Sequence, residues 1–391
     1  MMYKKYALAT LLTSTLLAST FTPIYAKSAT PVTPYSYELN YAQKEGYYSP
    51  SHGSTVTRQG TTFVAMNDWL TDQSGLQITW DQSGTRASLD GFIKKIAVRV
   101  GSRTALLDHQ KVTLSAAPFK AIDPLSEKSE LYLPIRFVVQ ALGGTELRID
   151  AANHKLVADH LQSLNVLKDS YQGTTYAVKK ANGDIYIAQG KNLAKRIASI
   201  NETLDLADIE VTATPKGLRI MRIGDSYGEP HINYQDFTLI FKNGALIRQS
   251  HMNYHWGVGT NIEMYNGNIV LNDGQTLRII EDGTGKVIDT IDLFKLGGGK
   301  DTYTVEGLQP DFIVVRSIKN THLTLIDRQT GKSIILYKEL LNANQQEQVE
   351  NDAPPMGRDD RLTYVKRNGN TLYFTYDKGS KNEKKLTYTL K

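Results

Sequence analysis

The chain has 391 residues, 45 Lys plus Arg against 40 Asp plus Glu, and no Cys. That length exceeds a typical single core and allows two or three domains, while 22% charged and 40% hydrophobic residues are ordinary for a globular protein. The missing Cys excludes disulfides, Cys-ligated zinc, iron–sulfur clusters, a Cys nucleophile and a Cys-linked lipid anchor. A formal charge of +5 does not point to nucleic acid.

Residues 1–26 read as a secretory signal peptide. Lys4 and Lys5 form the positive end, Tyr6 to Phe21 an apolar stretch, and Ile24-Tyr25-Ala26 a cleavage site. Removing the two lysines takes the charge from +5 to +3. No later stretch approaches about 18 continuous apolar residues, so no membrane span is expected after cleavage, and the expected location is extracellular or wall-associated. Residues 27–50, rich in Tyr, Ser and Pro, read as a linker or an irregular lead-in strand.

Residues 51–159 contain an internal repeat. A shift of 69 residues aligns Phe63-Val64-Ala65-Met66 with Tyr132-Leu133-Pro134-Ile135, Gly75 with Gly144, Ile78 with Leu147, and Asp81 with Asp150. Each copy predicts a strand, a short helix, a Gly turn and a hairpin. In the second copy, Phe137, Val138, Ala141 and Leu142 carry the helical spacing over 136–142, and Gly143-Gly144 ends it. Leu147, Ile149, Leu156 and Val157 flank a hairpin turn at Asp150 to Asn153.

Val98-Arg99-Val100-Gly101, Leu131-Tyr132-Leu133-Pro134-Ile135-Arg136-Phe137, Ala141-Leu142-Gly143-Gly144 and Ile149-Asp150 together resemble the copper-amine-oxidase N-terminal-like, or stalk, domain of secreted bacterial proteins. The resemblance covers roughly residues 55–159 and implies an accessory α+β module that serves as a spacer or adhesion piece. The first copy departs from the pattern, with Ala65 and Asn67 in place of the Pro and Arg. Amine oxidation itself is rejected. Its quinone precursor is a Tyr within Asn-Tyr-Asp/Glu, whereas this chain has Asn233-Tyr234-Gln235 and Asn253-Tyr254-His255.

Residues 160–391 read as entirely β. Short apolar runs recur at Ile185–Ile187, Phe237–Phe241, Ile269–Leu271, Leu277–Ile280, Phe312–Val315, Leu323–Ile326, Ile334–Tyr337 and Leu372–Tyr376. Asn243-Gly244, Asp282-Gly283 and Asn368-Gly369 mark turns. A second repeat, shifted by 46 residues, aligns Leu277 to Ile288 with Leu323 to Ile334. Its acid-x-x-Thr-Gly-Lys hairpin resembles the outer hairpin of β-propeller blades, and 232 residues at that period predict about five blades. A two-sheet sandwich or partial propeller is the alternative. The run Asn342 to Asp352 reads as a solvated excursion.

Candidate chemistry is sparse. Gly224-Asp225-Ser226-Tyr227-Gly228 matches a G-x-S-x-G elbow, which needs a helix after it, and a strand follows instead. If Ser226 were catalytic, His322 or His231 would be its base and Asp327 an orienter. His251 and His255 are four apart. On a strand that places them on one face about 13 Å apart, too far for one ion, and no metal or other cofactor is expected. Tyr254, His255 and Trp256 make an aromatic cluster beside glycines, suited to stacking a sugar or gripping a peptide. Leu296 to Asp301 lacks the Ser/Thr and spacing of a phosphate loop. The reading that unites these points is a secreted, non-enzymatic surface protein whose stalk presents a ligand-binding propeller to a wall polymer, extracellular polymer or protein. A secreted polymer hydrolase or lyase is the alternative.

Overall fold

The computed structural model describes residues 35–42, 51–190, 192–230, 232–255, 260–297, 299–351 and 360–390. The expected signal peptide lies outside them. Among the described residues no helix is long and apolar enough to cross a membrane.

The first layer opens with β1 (Ser36–Tyr41), β2 (Ser51–Arg58), β3 (Thr61–Ala65) and the helix α1 (Asp68–Ser74). A meander follows, of β4 (Gln77–Trp80), β5 (Arg86–Asp90), β6 (Lys95–Arg99), β7 (Thr104–Leu107) and β8 (Gln110–Thr113). The layer closes with β9 (Phe119–Ile122), β10 (Ser129–Pro134), α2 (Ile135–Ala141), β11 (Leu147–Asp150) and β12 (Lys155–Leu161). The long sheet has the order β11-β12-β1-β2-β3-β10-β9, and β4 to β8 make a separate five-stranded sheet.

β1 is no lead-in. It pairs parallel with β12 and antiparallel with β2, and Tyr37, Leu39 and Tyr41 point into the core by strict alternation. The 69-residue repeat takes physical form here. β3 and β10 pair antiparallel, Tyr132 opposite Ala65 and Pro134 opposite Phe63, and each leads into a seven-residue helix. Gly75 and Gly143 follow these helices at φ 73° and 75°, the left-handed region that lets the chain reverse. Asp81 and Asp150 play the same part in the hairpins beyond. Asp81 accepts from the amides of Thr85 and Arg86, and Asp150 from that of Asn153. These bonds hold both carboxyls below the usual range, the Arg86 amide contributing most for Asp81 and the Asn153 side chain most for Asp150.

Beyond β12, five small antiparallel meanders follow one another among the described residues. The first is β13 (Val166–Tyr171), β14 (Thr174–Lys179), β15 (Asp184–Gln189) and β16 (Lys195–Ser199). The second is β17 (Leu206–Ala213), β18 (Arg219–Tyr227), β19 (Asn233–Lys242) and β20 (Ala245–His255). The third is β21 (Met264–Tyr265), β22 (Asn268–Asn272), β23 (Thr276–Ile280) and β24 (Val287–Asp292), then helix α3 (Leu293–Gly297). The fourth is β25 (Tyr303–Leu308), β26 (Phe312–Ser317), β27 (Leu323–Asp327) and β28 (Ser333–Ile335). Helices α4 (Leu336–Leu340) and α5 (Ala343–Asn351) then precede a fifth, three-stranded sheet of β29 (Leu362–Asn368), β30 (Thr371–Tyr376) and β31 (Lys384–Thr389).

The 46-residue repeat superposes β23 and its turn on β27 and its turn. The amides of Gly285 and Gly331 return to the carbonyls of Glu281 and Asp327, both at 2.9 Å. Each apolar cluster of this half joins consecutive sheets. Ile223 and Phe237 pack with Tyr176 and Val178, Ile220 and Ile240 with Ile269 and Leu271, Ile279 with Val305 and Ile313, and Phe312 with Leu372 and Phe374.

The expectation of an entirely β second half is corrected by three short helices among the described residues. Leu336 and Tyr337, read as the end of a strand, are both buried in one core cluster. Adjacent residues on a strand point to opposite faces, so only a helical turn turns both inward. The polar excursion at Asn342 is helical because Asn342 caps it. Its side chain accepts from the amide of Gln345 at 3.0 Å while Gln345 Oε1 accepts from the amide of Asn342 at 3.2 Å, a reciprocal capping box.

Between the fourth and fifth sheets sits a buried charge cluster. The Arg316 guanidinium, 1% exposed, donates to Glu306 at 2.8 Å, Asp360 at 2.8 Å and the Thr321 carbonyl at 2.7 Å, and also to the Leu362 carbonyl. The spare carboxylate oxygens accept from the amides of Leu323 and Tyr364. Burial pushes the Glu306 carboxyl up despite its Arg316 partner, as expected where two carboxylates share one guanidinium.

Candidate functional site

The second sheet is longer than its neighbours. Its strands have 8, 9, 10 and 11 residues, and no described strand in the other four sheets exceeds 7. Four extra residues at about 3.3 Å each make its longest strand roughly 13 Å longer than any described strand of the other four sheets.

Cross-strand partners share a face, so the register assigns the side chains of that end. One row is Leu206, Ser226, Tyr234 and Tyr254, and the next is Asp208, Gly224, Asp236 and Met252. A third row holds Glu210, Arg222, Thr238 and Ser250. The inner end of this face packs on the third sheet through Ile220 and Ile240, while Leu206 at the outer end is 60% exposed.

The Tyr234 and Tyr254 rings stack with centroids 5.8 Å apart and planes 17° from parallel. The Tyr254 hydroxyl donates to Asp236 Oδ2 at 2.8 Å. Burial raises the pKa of the Asp236 carboxyl, and the Tyr254 bond opposes that rise. Burial first, then the charge of Asp236, pushes the Tyr254 phenol well above its ordinary value. Gly224 makes a notch in this face. A Cβ there would lie 2.8 Å from Asp208 Oδ1 and 3.8 Å from Asp236 Oδ1, so the missing side chain lets two carboxylates approach the floor from either side. Beyond the notch, Arg222 pairs with Glu263 at 2.8 Å. A flat pair of phenol rings beside acceptor oxygens can stack the C–H face of a sugar and bind its hydroxyls.

On the opposite face the odd-numbered residues run inward. Asp225, 3% exposed, accepts from the Gln235 amide group and from the Asp205 backbone amide, each at 2.8 Å. This bond set ties the long hairpin to the segment after the first sheet. His251 stacks on Phe237 at 4.2 Å on this face, and desolvation there lowers its pKa. At the tip, the Tyr227 hydroxyl donates to the Asn253 side chain at 3.0 Å.

Ser226 therefore lies within a strand, opposite Leu206 and Tyr234, and the next element is the strand β19. The elbow reading needs a helix there, and β19 occupies its place. His322 belongs to the fourth sheet's β26–β27 turn, with its ring 4.7 Å from Tyr337, and Asp327 ends β27. Neither lies on the row that holds Ser226. Tyr254 and Ser226 do share a row, whereas His255 and His251 occupy the other face, so Tyr254 and His255 of the expected aromatic cluster face opposite sides of the sheet. Trp256 and His231 lie outside the described residues. The sequence reading missed Tyr234, Asp208, Asp236 and the role of Gly224. Strand parity held the signal, because positions 234, 236 and 238 share one face.

The two tyrosines of the Asn-Tyr motifs, Tyr234 and Tyr254, stack on each other across β19 and β20, and among the described residues no group of three or more His, Asp or Glu side chains is placed to hold a metal.

No curated protein matches the chain. Among solved structures, apo AztD from Citrobacter koseri is 11% identical over 77% of this chain and 80% of its own, with a TM-score of 0.26. A protein of unknown function from Bacteroides caccae is 10% identical over 72% and 82%, with a TM-score of 0.21. A streptogramin B lyase is 10% identical over 84% and 87%, with a TM-score of 0.22. Scores of this size do not define a fold. The family described as copper amine oxidase N-terminal domain matches residues 45–157, which span the strand–helix repeat. The family model thus matches this segment, under a third of the chain.

Proposed function

We propose that the chain is a secreted, non-enzymatic surface protein that binds an extracellular polysaccharide through the elongated end of its second sheet. In this reading the segment 45–157 is the supporting module, and the five meanders close into a propeller-like ring that sets the long hairpin apart as the gripping edge. The observation that carries the reading is the stacked Tyr234–Tyr254 pair near the end of the sheet with the longest strands, beside a notch flanked by two carboxylates. Aromatic faces next to hydrogen-bond acceptors recognise the alternating apolar and hydroxyl surfaces of sugars.

The test is retention of the full chain on arrays of surface glycans. Binding to a defined glycan, lost in Tyr234→Ala and Tyr254→Ala while each variant still unfolds in a single cooperative transition at a modestly lower temperature, is the expected result. Retention on no glycan rejects the reading. The hydrolase alternative is checked by a fluorophosphonate probe: covalent labelling that disappears in Ser226→Ala overturns the non-enzymatic assignment.

A further inference from the structure

A second surface, on the five-stranded sheet of the N-terminal layer, has its own chemistry. One face of this sheet is core: Ala87, Leu89, Ile96, Val98 and Ala105 are all buried there. The register puts Thr79, Ser88, Ala97 and Leu106 in one row on the outer face. Arg86 and Arg99 stand opposite each other beside that row. Together these residues line an open trough of about 480 Å3.

The trough floor is small, and its rim carries two cations, Arg86 and Arg99, against one carboxylate, Asp81. Thr79, Ser88 and Ala97 are short side chains, so the backbone is approachable across three strands, and Leu106, 38% exposed, gives an apolar wall. Arg86 and Arg99 are both exposed, and neither guanidinium makes an ion pair within 4 Å among the described residues. Asp81, on the rim, accepts from the amides of Thr85 and Arg86 and from the Ser83 hydroxyl, and the Arg86 charge acts on it without a direct ion pair. Two like charges directly opposite across a strand pair are destabilising. An anionic group between them removes that repulsion, and a paired guanidinium fork suits a carboxylate or phosphate.

From this charge complementarity we infer that the outer face of the five-stranded sheet binds an anionic polysaccharide, with its acidic groups on Arg86 and Arg99 and its sugar body across Thr79, Ser88 and Ala97. The occupant is a glycan and not an added peptide strand, because the trough lies on the face of the sheet. The central strands β5, β6 and β7 each have strand partners on both sides, so they offer no free backbone edge for strand addition. Floor hydroxyls from Thr79 and Ser88 match sugar hydroxyls. This site is separate in sequence and sheet from the Tyr234–Tyr254 platform.

The experiment measures binding of the full chain to polygalacturonate and to phosphorylated dextran, with neutral dextran and poly-L-glutamate as comparators. Binding at least tenfold tighter to one of the two anionic glycans than to dextran is expected, and which one it is identifies carboxylate or phosphate as the source. That excess should disappear in the Arg86→Gln/Arg99→Gln double variant and fall with added salt. The double variant should melt at the same temperature or higher without ligand, since it loses a like-charge pair. The inference is overturned by equal binding to dextran, by binding that survives in the double variant, by poly-L-glutamate binding as tightly as the glycans, or by a lowered melting temperature in the double variant.

Discussion

Tyr254 stands directly opposite Tyr234 across β19 and β20, and its hydroxyl reaches diagonally to Asp236, two residues along from its cross-strand partner. The pair is thus fixed at two points, ring on ring and hydroxyl on carboxylate. Fixed aromatic side chains lose little further freedom when a ligand arrives.

Removing one ring should therefore weaken glycan binding far more than folding. Tyr234→Ala is expected to lose at least tenfold in affinity and about 1 kcal/mol of stability, the scale of one aromatic pair. Tyr254→Phe keeps the stack and deletes the bond to Asp236, so its loss of affinity should be smaller. Titration by calorimetry, with parallel urea melts, separates the two effects.

Gly224→Ala is the sharper probe of the notch. The added Cβ meets the end of the exposed Asp208 side chain, which can swing away, so stability should change by less than about 1 kcal/mol. The space between the two carboxylates is filled all the same, and binding should fall. A variant that binds like the parent would remove the notch from the site.

Arg316→Met should be among the most damaging single changes. It leaves Glu306 and Asp360 as buried carboxylates without their cation, a loss of about 3–5 kcal/mol. Chemical denaturation should show a lower midpoint, with the near-ultraviolet signal of the fifth sheet's tyrosines lost early.

His322 gives the second half a pH dependence of known sign. Burial first of all holds its folded pKa below the ordinary value of 6.5. The folded state then resists a proton that the unfolded chain accepts, so stability is full above about pH 6.5 and declines as pH falls through that value toward the folded pKa. One such group contributes a slope of no more than about 1.4 kcal/mol per pH unit. Urea midpoints between pH 7.5 and 5.5 should fall for the parent and fall less for His322→Gln.

Periodicity and repetition made much of the fold readable. The 69-residue shift located two strand–helix units, and the 46-residue shift located matching hairpins, because both repeats preserve apolar spacing and turn glycines. What escaped was set by tertiary partners. Ser36 to Tyr41 alternates as plainly as any strand, yet its flanking Ser, Pro and Tyr residues masked a strand whose parallel partner, β12, lies more than a hundred residues away. Leu336-Tyr337 fits a strand end or a helical turn equally well until a core claims both side chains. At the candidate site, Tyr254 was visible as an aromatic beside glycines. Its partner Tyr234 was not, because their adjacency depends on the β19–β20 register.

The Arg316 cluster also governs the order in which the chain can mature. The guanidinium sits on β26, but its partners come from residues 306, 321, 360 and 362. Until the chain as far as Leu362 is available, a completed fourth sheet would enclose a positive charge missing half its ligands. The last two sheets are thus expected to form as one cooperative step, leaving a chain interrupted before that point open to proteolysis while the earlier sheets are already closed.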